Sequence, residues 1–141
     1  MIYVDTSFIV PLFREEESTP AVVEFLSGKE AGSLYISKWT IVEFASLVSR
    51  DVRMNMLTSH QGGQVLAEFE ATVDASLGVW VPGANDFDLA AEYVSLFPTR
   101  LRAPDALHLA IAKNNDAEFV ATLDEGMLFA AGKMKIKART L

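Results

Sequence analysis

The sequence predicts an α/β protein, a three-layer α/β/α sandwich around a mostly parallel central sheet. Three observations carry the prediction. Short apolar runs alternate with longer segments in which apolar residues recur at helical spacing. Half of the 141 residues are apolar and 22% are charged, the composition of a compact fold, and the length suits one domain over residues 1–141. Lone carboxylates stand where strand gives way to helix, at Asp5, Glu43, Asp105 and Asp124. Strands separated by helices are joined by right-handed crossovers, which lay the strands parallel and cover both faces of the sheet.

Ile2 to Val4 is a brief apolar strand, followed by a helix over Ser7 to Phe13 whose residues Phe8, Ile9, Leu12 and Phe13 share helical spacing. A second helix follows closely. Thr19 is its expected N-cap, Pro20 suits the first helical position, Val22, Val23 and Leu26 supply an apolar face, and Gly28 is a stop. Ser33 to Ile36 is the second strand. Helices from Thr40 to Arg53 and from Ser59 to Val73 come next, then a strand at Val79 to Val81 ended by Pro82-Gly83. Helices at Phe87 to Phe97 and Pro104 to Asn114 lead to a strand at Phe119 to Thr122. A helix at Glu125 to Ala131 and an edge strand at Met134 to Lys137 complete the chain. The helical pair between the second and third strands is longer than a crossover needs. Its surplus apolar residues (Phe44, Leu47, Val48, Leu57, Val65, Leu66, Phe69) suit core packing or a subunit interface equally well.

Composition narrows the chemistry. With no cysteine, neither a disulfide framework nor a thiolate zinc site is possible, and two histidines, His60 and His108, are too few for a histidine-rich one. Any metal must be held mainly by oxygen. The N-terminus enters an apolar strand with no basic leader region, and no apolar run approaches the ~20 residues that span a bilayer, so a cytoplasmic protein without membrane contact is expected. The formal net charge of −7 and a pI near 4.7 argue against tight non-specific binding of nucleic acid. Basic residues are nevertheless grouped, with Lys133, Lys135, Lys137 and Arg139 near the C-terminus and Arg100 and Arg102 just before Asp105.

Each acid also has a local explanation. Asp5 and Asp124 suit helix N-caps, and Asp105 follows Pro104 in a first turn where negative charge opposes the macrodipole. Thr40-Ile41-Val42-Glu43 fits a capping box in which Glu43 bonds back to the cap. The ensemble points further, because loops at the carboxyl ends of strands in an open α/β sheet converge on one crevice. Carboxylates gathered there repel one another unless a hard divalent cation such as Mg²⁺ or Mn²⁺ lies between them. Asp5 and Asp124 approach each other if the first and fourth strands are adjacent. His108 shares a helix face with Asp105, but apolar neighbours Leu107, Leu109 and Ile111 mark it as a packed or hydrogen-bonded core residue rather than a ligand.

Four segments carry a family resemblance: Met1-Ile2-Tyr3-Val4-Asp5-Thr6-Ser7, Glu43 in a Thr-x-x-Glu context, Arg102-Ala103-Pro104-Asp105-Ala106-Leu107-His108-Leu109-Ala110, and Thr122-Leu123-Asp124. In this order they resemble the PIN-domain ribonucleases over nearly the whole chain, and within them the VapC toxins of toxin–antitoxin pairs. The block around Asp105 is the specific part; short strings such as the Val-Asp-Thr-Ser start recur by chance. The resemblance implies that Asp5, Glu43, Asp105 and Asp124 form an acidic metal site with Thr6, Ser7 and Thr122 as supporting hydroxyls. It implies Mg²⁺- or Mn²⁺-assisted hydrolysis of RNA, with one ion or two, leaving 5′-phosphate and 3′-hydroxyl ends. A cognate antitoxin and a second copy of the chain are the implied protein partners, and a cationic antitoxin segment suits an acidic crevice. Arg14, Lys38, Arg100 and Arg102 are candidates for phosphate contact.

Two other readings compete. A strand ending in Asp5-Thr6 is similar to phosphatases with an aspartate nucleophile, the haloacid dehalogenase-like group, but those carry a second acid two residues on, where this chain has Ser7. Alternatively the acids are only caps and the chain is a catalytically silent interaction module of the same fold. Metal binding separates that reading from a nuclease.

Overall fold

The computed structural model describes residues 1–141. Five strands run in chain order as β1 (Ile2–Val4), β2 (Leu34–Ser37), β3 (Gly78–Trp80), β4 (Phe119–Ala121) and β5 (Ala138–Arg139). They form one sheet in the order β3-β2-β1-β4-β5, with every neighbouring pair parallel. The helices are α1 (Thr6–Ile9), α2 (Thr19–Ser27), α3 (Lys38–Arg53), α4 (Ser59–Ser76), α5 (Ala84–Val94), α6 (Ala103–Asn114) and α7 (Glu125–Met134). The three-layer α/β/α sandwich is therefore as expected, and its sheet is wholly parallel. No helix is long and apolar enough to cross a membrane.

Alternation along the central strands splits the core into two layers, since successive side chains in a strand face opposite sides. Ile2, Val4, Phe119 and Ala121 pack with Phe8, Ile9, Val22, Phe44, Val48, Phe69 and Val73 from α1 to α4. Tyr3 and Val120 face the other way, onto Ala106, Leu107, Ala110, Met127 and Ala130 of α6 and α7. All three residues of β1 and of β4 are buried, as strands covered on both faces must be. The surplus apolar residues of α3 and α4 divide accordingly. Phe44, Val48 and Phe69 are core, Leu57, Val65 and Leu66 are partly buried against it, and Leu47 lines a cleft. Three of the seven are thus buried, and the other four stay partly exposed.

Several boundaries move, for local reasons. The expected helix over Ser7 to Phe13 is α1 followed by a 3₁₀ turn, Val10–Leu12, because Pro11 has no N–H with which to continue an α-helix. Thr19 lies inside α2 rather than capping it; its hydroxyl donates to the Pro11 carbonyl at 2.9 Å and accepts from the Glu16 N–H at 2.9 Å. The helix expected from Phe87 starts earlier, at Ala84, since Asp86 accepts from the Gly83 N–H at 2.8 Å and closes the first turn. It also ends earlier, at Val94, and Phe97–Thr99 is a separate 3₁₀ turn. The edge strand expected at Met134 to Lys137 is displaced to Ala138–Arg139. Helix α7 continues through Met134, and Lys135 ends it in the left-handed region at φ 57°.

Aromatic packing pins the β3 edge. Trp80 stacks on Tyr35, with centroids 4.8 Å apart, and on Tyr3 at 5.7 Å with the planes 1° from parallel. Gly78 pairs in register with Tyr35, whose ring lies across it, so that a Cβ at Gly78 would overlap the ring carbons. The glycine is required by this close approach. Gly78→Ala should lower stability to urea by about 1–3 kcal/mol. In a Tyr35→Ala background, the added loss from Gly78→Ala should largely vanish, as chemical denaturation of the four chains would show.

Candidate active site

The strand order places a topological switch point at the carboxyl ends of β1 and β4. From β1 the chain steps one way to β2 and β3, then crosses back to β4 on the other side of β1. Crossovers depart in opposite senses there, and this opens the crevice used by ligands in parallel α/β sheets. The register Val4↔Ala121 sets Asp5 beside Thr122, one residue beyond the strand ends. The expected adjacency of the first and fourth strands holds.

A cleft of ≈ 280 Å³ opens at this point, lined by Asp5, Thr6, Ser7, Glu43, Ser46, Leu47, Asp105, His108 and Asp124. All four predicted acids are therefore in one place, contributed by the starts of α1, α6 and α7 and by the second turn of α3. Ser46 went unnoticed in the sequence, and Leu47 was counted there only among the surplus apolar residues of the helical pair. Their only signal is position, one helical turn beyond Glu43.

Asp5 is only 3% exposed. It is the N-cap of α1, as its local explanation required, and accepts from the Phe8 N–H at 3.3 Å. Its Oδ1 also accepts from the Ser7 hydroxyl at 2.7 Å, and its Oδ2 accepts from the Thr122 hydroxyl at 3.1 Å. Burial pushes its pKa up to about 6, against the partial opposition of the His108 imidazole and these hydrogen bonds. Ser7 also receives the Leu123 N–H at 2.9 Å, and Thr122 Oγ1 the Asp124 N–H at 3.0 Å. The hydroxyls thus tie the turns after β1 and β4 together.

Glu43 corrects the capping-box expectation. The box that starts α3 is formed one turn earlier: Ser37 is the N-cap, its hydroxyl accepts the Thr40 N–H at 3.3 Å, and the Thr40 hydroxyl accepts the Ser37 N–H at 3.2 Å. The helix begins at Lys38 because the cap lies at Ser37. Glu43 is thereby freed, and its Oε2 accepts from the Thr6 hydroxyl and from Nε2 of His108. Burial alone would raise its pKa, but the hydrogen bond and charge of His108, with Thr6, hold it below the usual carboxylate value. His108 itself is 1% exposed, a hydrogen-bonded core residue as expected, yet its ring edge reaches the cleft.

Asp105 and Asp124 form the outer side. Asp124 is the N-cap of α7, accepting the Met127 N–H at 2.7 Å through Oδ1. Asp105 lies in the first turn of α6, where burial and the neighbouring Asp124 raise its pKa while Arg102 and His108 oppose the rise. One guanidinium nitrogen of Arg102 is 3.5 Å from Asp105 Oδ2 and 3.7 Å from Asp124 Oδ2. Arg102 is largely exposed, so these are surface contacts of small energy, but they hold a cation at the mouth of the cleft. In this arrangement no three acids and histidines are grouped tightly enough to enclose an ion.

The other basic candidates lie elsewhere. Arg14 is engaged with buried Asp51 at 3.1 Å, and Asp51 also faces Arg50 at 3.6 Å. Lys38 is exposed at the first position of α3, and Arg100 is exposed and left-handed, at φ 55°. Neither Lys38 nor Arg100 lines the cleft.

A family model described as PIN domain matches residues 2–133. FitAcB from Neisseria gonorrhoeae superimposes with a TM-score of 0.71 at 22% identity, covering 98% of this chain and 96% of that one. VapC20 from Mycobacterium tuberculosis, a Sarcin-Ricin loop cleaving toxin, does so with a TM-score of 0.74 at 18% identity, covering 92% and 95%. VapBC2 from Rickettsia felis, bound to a DNA fragment from its promoter, gives 0.69 at 16% identity, covering 100% and 99%. At these identities the likeness is one of fold. No curated protein matches in sequence. With its family pattern spanning all but the last turns of the chain and its acids gathered at the switch point, the protein belongs to the PIN domain family.

Proposed function

We propose that this chain is a Mg²⁺- or Mn²⁺-dependent endoribonuclease, one nuclease domain over residues 1–141, acting as the toxin of a toxin–antitoxin pair. One observation carries the reading: four carboxylates from four distant segments line a single small cleft at the switch point. Oxygen donors of this hardness fit Mg²⁺ or Mn²⁺, and no thiolate or imidazole cluster is present to favour a softer ion. Asp5, Glu43, Asp105 and Asp124 would hold the ion. When bound, it supplies a Lewis acid for the scissile phosphate and lowers the pKa of the attacking water.

The chain's own groups then have definite tasks. Ser7 and Thr122 fix both oxygens of Asp5, and Thr6 and His108 fix one oxygen of Glu43, so the acids are oriented in advance. Arg102, held by two weak surface contacts, is free to exchange them for an RNA phosphate. Lys38 and Arg100 are proposed only as outer contacts along the strand of RNA. Arg14 is withdrawn from that set, because releasing it would leave the buried carboxylate of Asp51 without its closest partner.

The acidic balance of the chain and the open acidic cleft suit an antitoxin whose inhibitory segment is basic. Solved structures of the same fold include FitAB, VapBC-1 and a toxin–antitoxin complex from Klebsiella pneumoniae, which support an antitoxin partner here. A cytoplasmic homodimer completes the proposal. The phosphatase reading loses its footing: the position two residues beyond Asp5 is Ser7, which hydrogen-bonds Asp5 instead of serving as an acid. A silent interaction module is the alternative that the experiment must exclude.

Structured RNA should be cleaved with Mg²⁺ or Mn²⁺ and not with EDTA, and Asp5→Asn or Asp105→Asn should reduce the rate by about a hundredfold or more. Undiminished cleavage by either variant would sink the assignment, and absence of Mn²⁺ binding in calorimetry would favour the silent module. Stability should show the opposite trend. Asp5 has an ordinary pKa of 3.8 when exposed and about 6 when folded, so the folded chain binds this proton more tightly. The resulting stability is complete below the unfolded value and is lost as pH rises through about 6. In EDTA, Asp5→Asn should therefore melt several degrees above wild type near pH 7.5. The gap should close as pH falls toward about 4, which thermal melts across pH would test.

A further inference from the structure

Behind Glu43 lies a chain of buried polar groups that the metal site does not itself require. Tyr3 is fully buried in the middle of β1 and faces α6. Its hydroxyl is 2.8 Å from Ser37 Oγ and 2.7 Å from His108 Nδ1, with Thr40 Oγ1 at 3.5 Å. On the opposite edge of the same imidazole, Nε2 contacts Glu43 Oε2 and lies 3.3 Å from Thr6 Oγ1. Five elements meet in this chain: β2 at Ser37, β1 at Tyr3, α1 at Thr6, α6 at His108, and α3 at Thr40 and Glu43.

The donors and acceptors form a consistent direction. Ser37 Oγ already accepts the Thr40 N–H, so its own proton is available to the Tyr3 oxygen. Burial keeps the Tyr3 phenol protonated, and its O–H can donate to Nδ1. In the neutral ring the remaining proton then resides on Nε2, and in the imidazolium both nitrogens carry one, so that in either form Nε2–H is aimed at Glu43 and Nδ1 is held by the Tyr3 hydroxyl. Thr6 and His108 converge on the same oxygen, Oε2, which leaves Oε1 for the cleft. A histidine without a partner on Nδ1 could rotate about its side-chain bonds, and Glu43 would rotate with it.

We propose that Tyr3 is a positioning residue of the active site: through His108 it fixes the orientation in which Glu43 presents its free carboxylate oxygen to the metal and substrate. Tyr3 touches neither. The inference rests on the nuclease reading above and extends it to a residue buried beneath the sheet's edge of the cleft. A purely structural role for Tyr3 makes a different prediction, because its ring is already anchored by stacking on Trp80, whatever its hydroxyl does.

Tyr3→Phe retains that ring and removes only the hydroxyl. Mn²⁺ binding should be measured by calorimetry on the full chain as wild type, Tyr3→Phe, Glu43→Gln and the double variant, at a temperature where melts show each to be folded. Tyr3→Phe should weaken Mn²⁺ binding by about tenfold and slow RNA cleavage to a similar degree. In the Glu43→Gln background the same change should weaken binding by less than about twofold, the non-additivity expected when one residue acts through the other. Equal Mn²⁺ affinity in wild type and folded Tyr3→Phe would overturn the inference, as would an equal loss with and without Glu43. Should Tyr3→Phe fail to fold, His108→Gln, which retains a donor toward Glu43 without the Nδ1 acceptor, is read by the same two criteria. A wild-type chain that neither binds Mn²⁺ nor cuts RNA overturns the nuclease reading and this inference together, whereas binding by wild type with no effect of Tyr3→Phe overturns the inference alone.

Discussion

Burial of the Asp5 carboxylate at the end of the central strand is the constraint on which the rest of the structure depends. A carboxylate 3% exposed, with no Lys or Arg side chain paired to it, needs hydrogen bonds to its oxygens. Those bonds come from Ser7 and Phe8 in the turn after β1 and from Thr122 beyond β4. Ser7 and Phe8 donate from within the turn itself, whereas Thr122 can donate only because β1 and β4 are neighbours in the register Val4↔Ala121. The start of α1 and the pairing of β1 with β4 thus meet at one side chain. Even so, burial dominates, and the raised pKa of Asp5 records what its hydrogen bonds leave uncompensated.

The same conflict is handled differently at the other acids. Glu43, half-buried, is given a hydroxyl and an imidazole on one oxygen, and its pKa falls. Burial and the charge of neighbouring Asp124 push the Asp105 pKa up, against the partial opposition of Arg102, which the two acids share, and of His108. Acids of one cleft therefore differ in their appetite for a proton, set by burial and by the particular partner of each. Such divergence among neighbouring carboxylates supports the proposed role of the cleft.

Capping and site formation are compatible roles here. Asp5 and Asp124 both accept backbone N–H groups at helix starts, as local rules demand, and both line the cleft. A cap residue sits at the carboxyl end of the preceding strand by construction, which is where an α/β sheet gathers its ligands. Glu43 was the acid with the best local explanation and the one for which that explanation fails. Ser37 outcompetes Thr40 as N-cap because the strand places it first, and Thr40 serves as the reciprocal partner. Local pattern could not rank two overlapping boxes; the strand end could.

The sequence by itself determined the α/β architecture, the order of its elements and the identity of the four acids, because periodicity, caps and turn residues are properties of short segments. The family match over residues 2–133 agrees with that architecture. Tertiary structure alone decided which contacts those residues make. Arg14, one of four candidates for phosphate contact, pairs with Asp51, 37 residues away. Tyr3 looked like one more strand aromatic until His108, 105 residues away, met its hydroxyl. The last strand slid from Met134–Lys137 to Ala138–Arg139, since it pairs with β4 only where α7 releases the chain. Partners distant in sequence leave no periodic trace in it, and only the packing of the sheet brings them within hydrogen-bond reach.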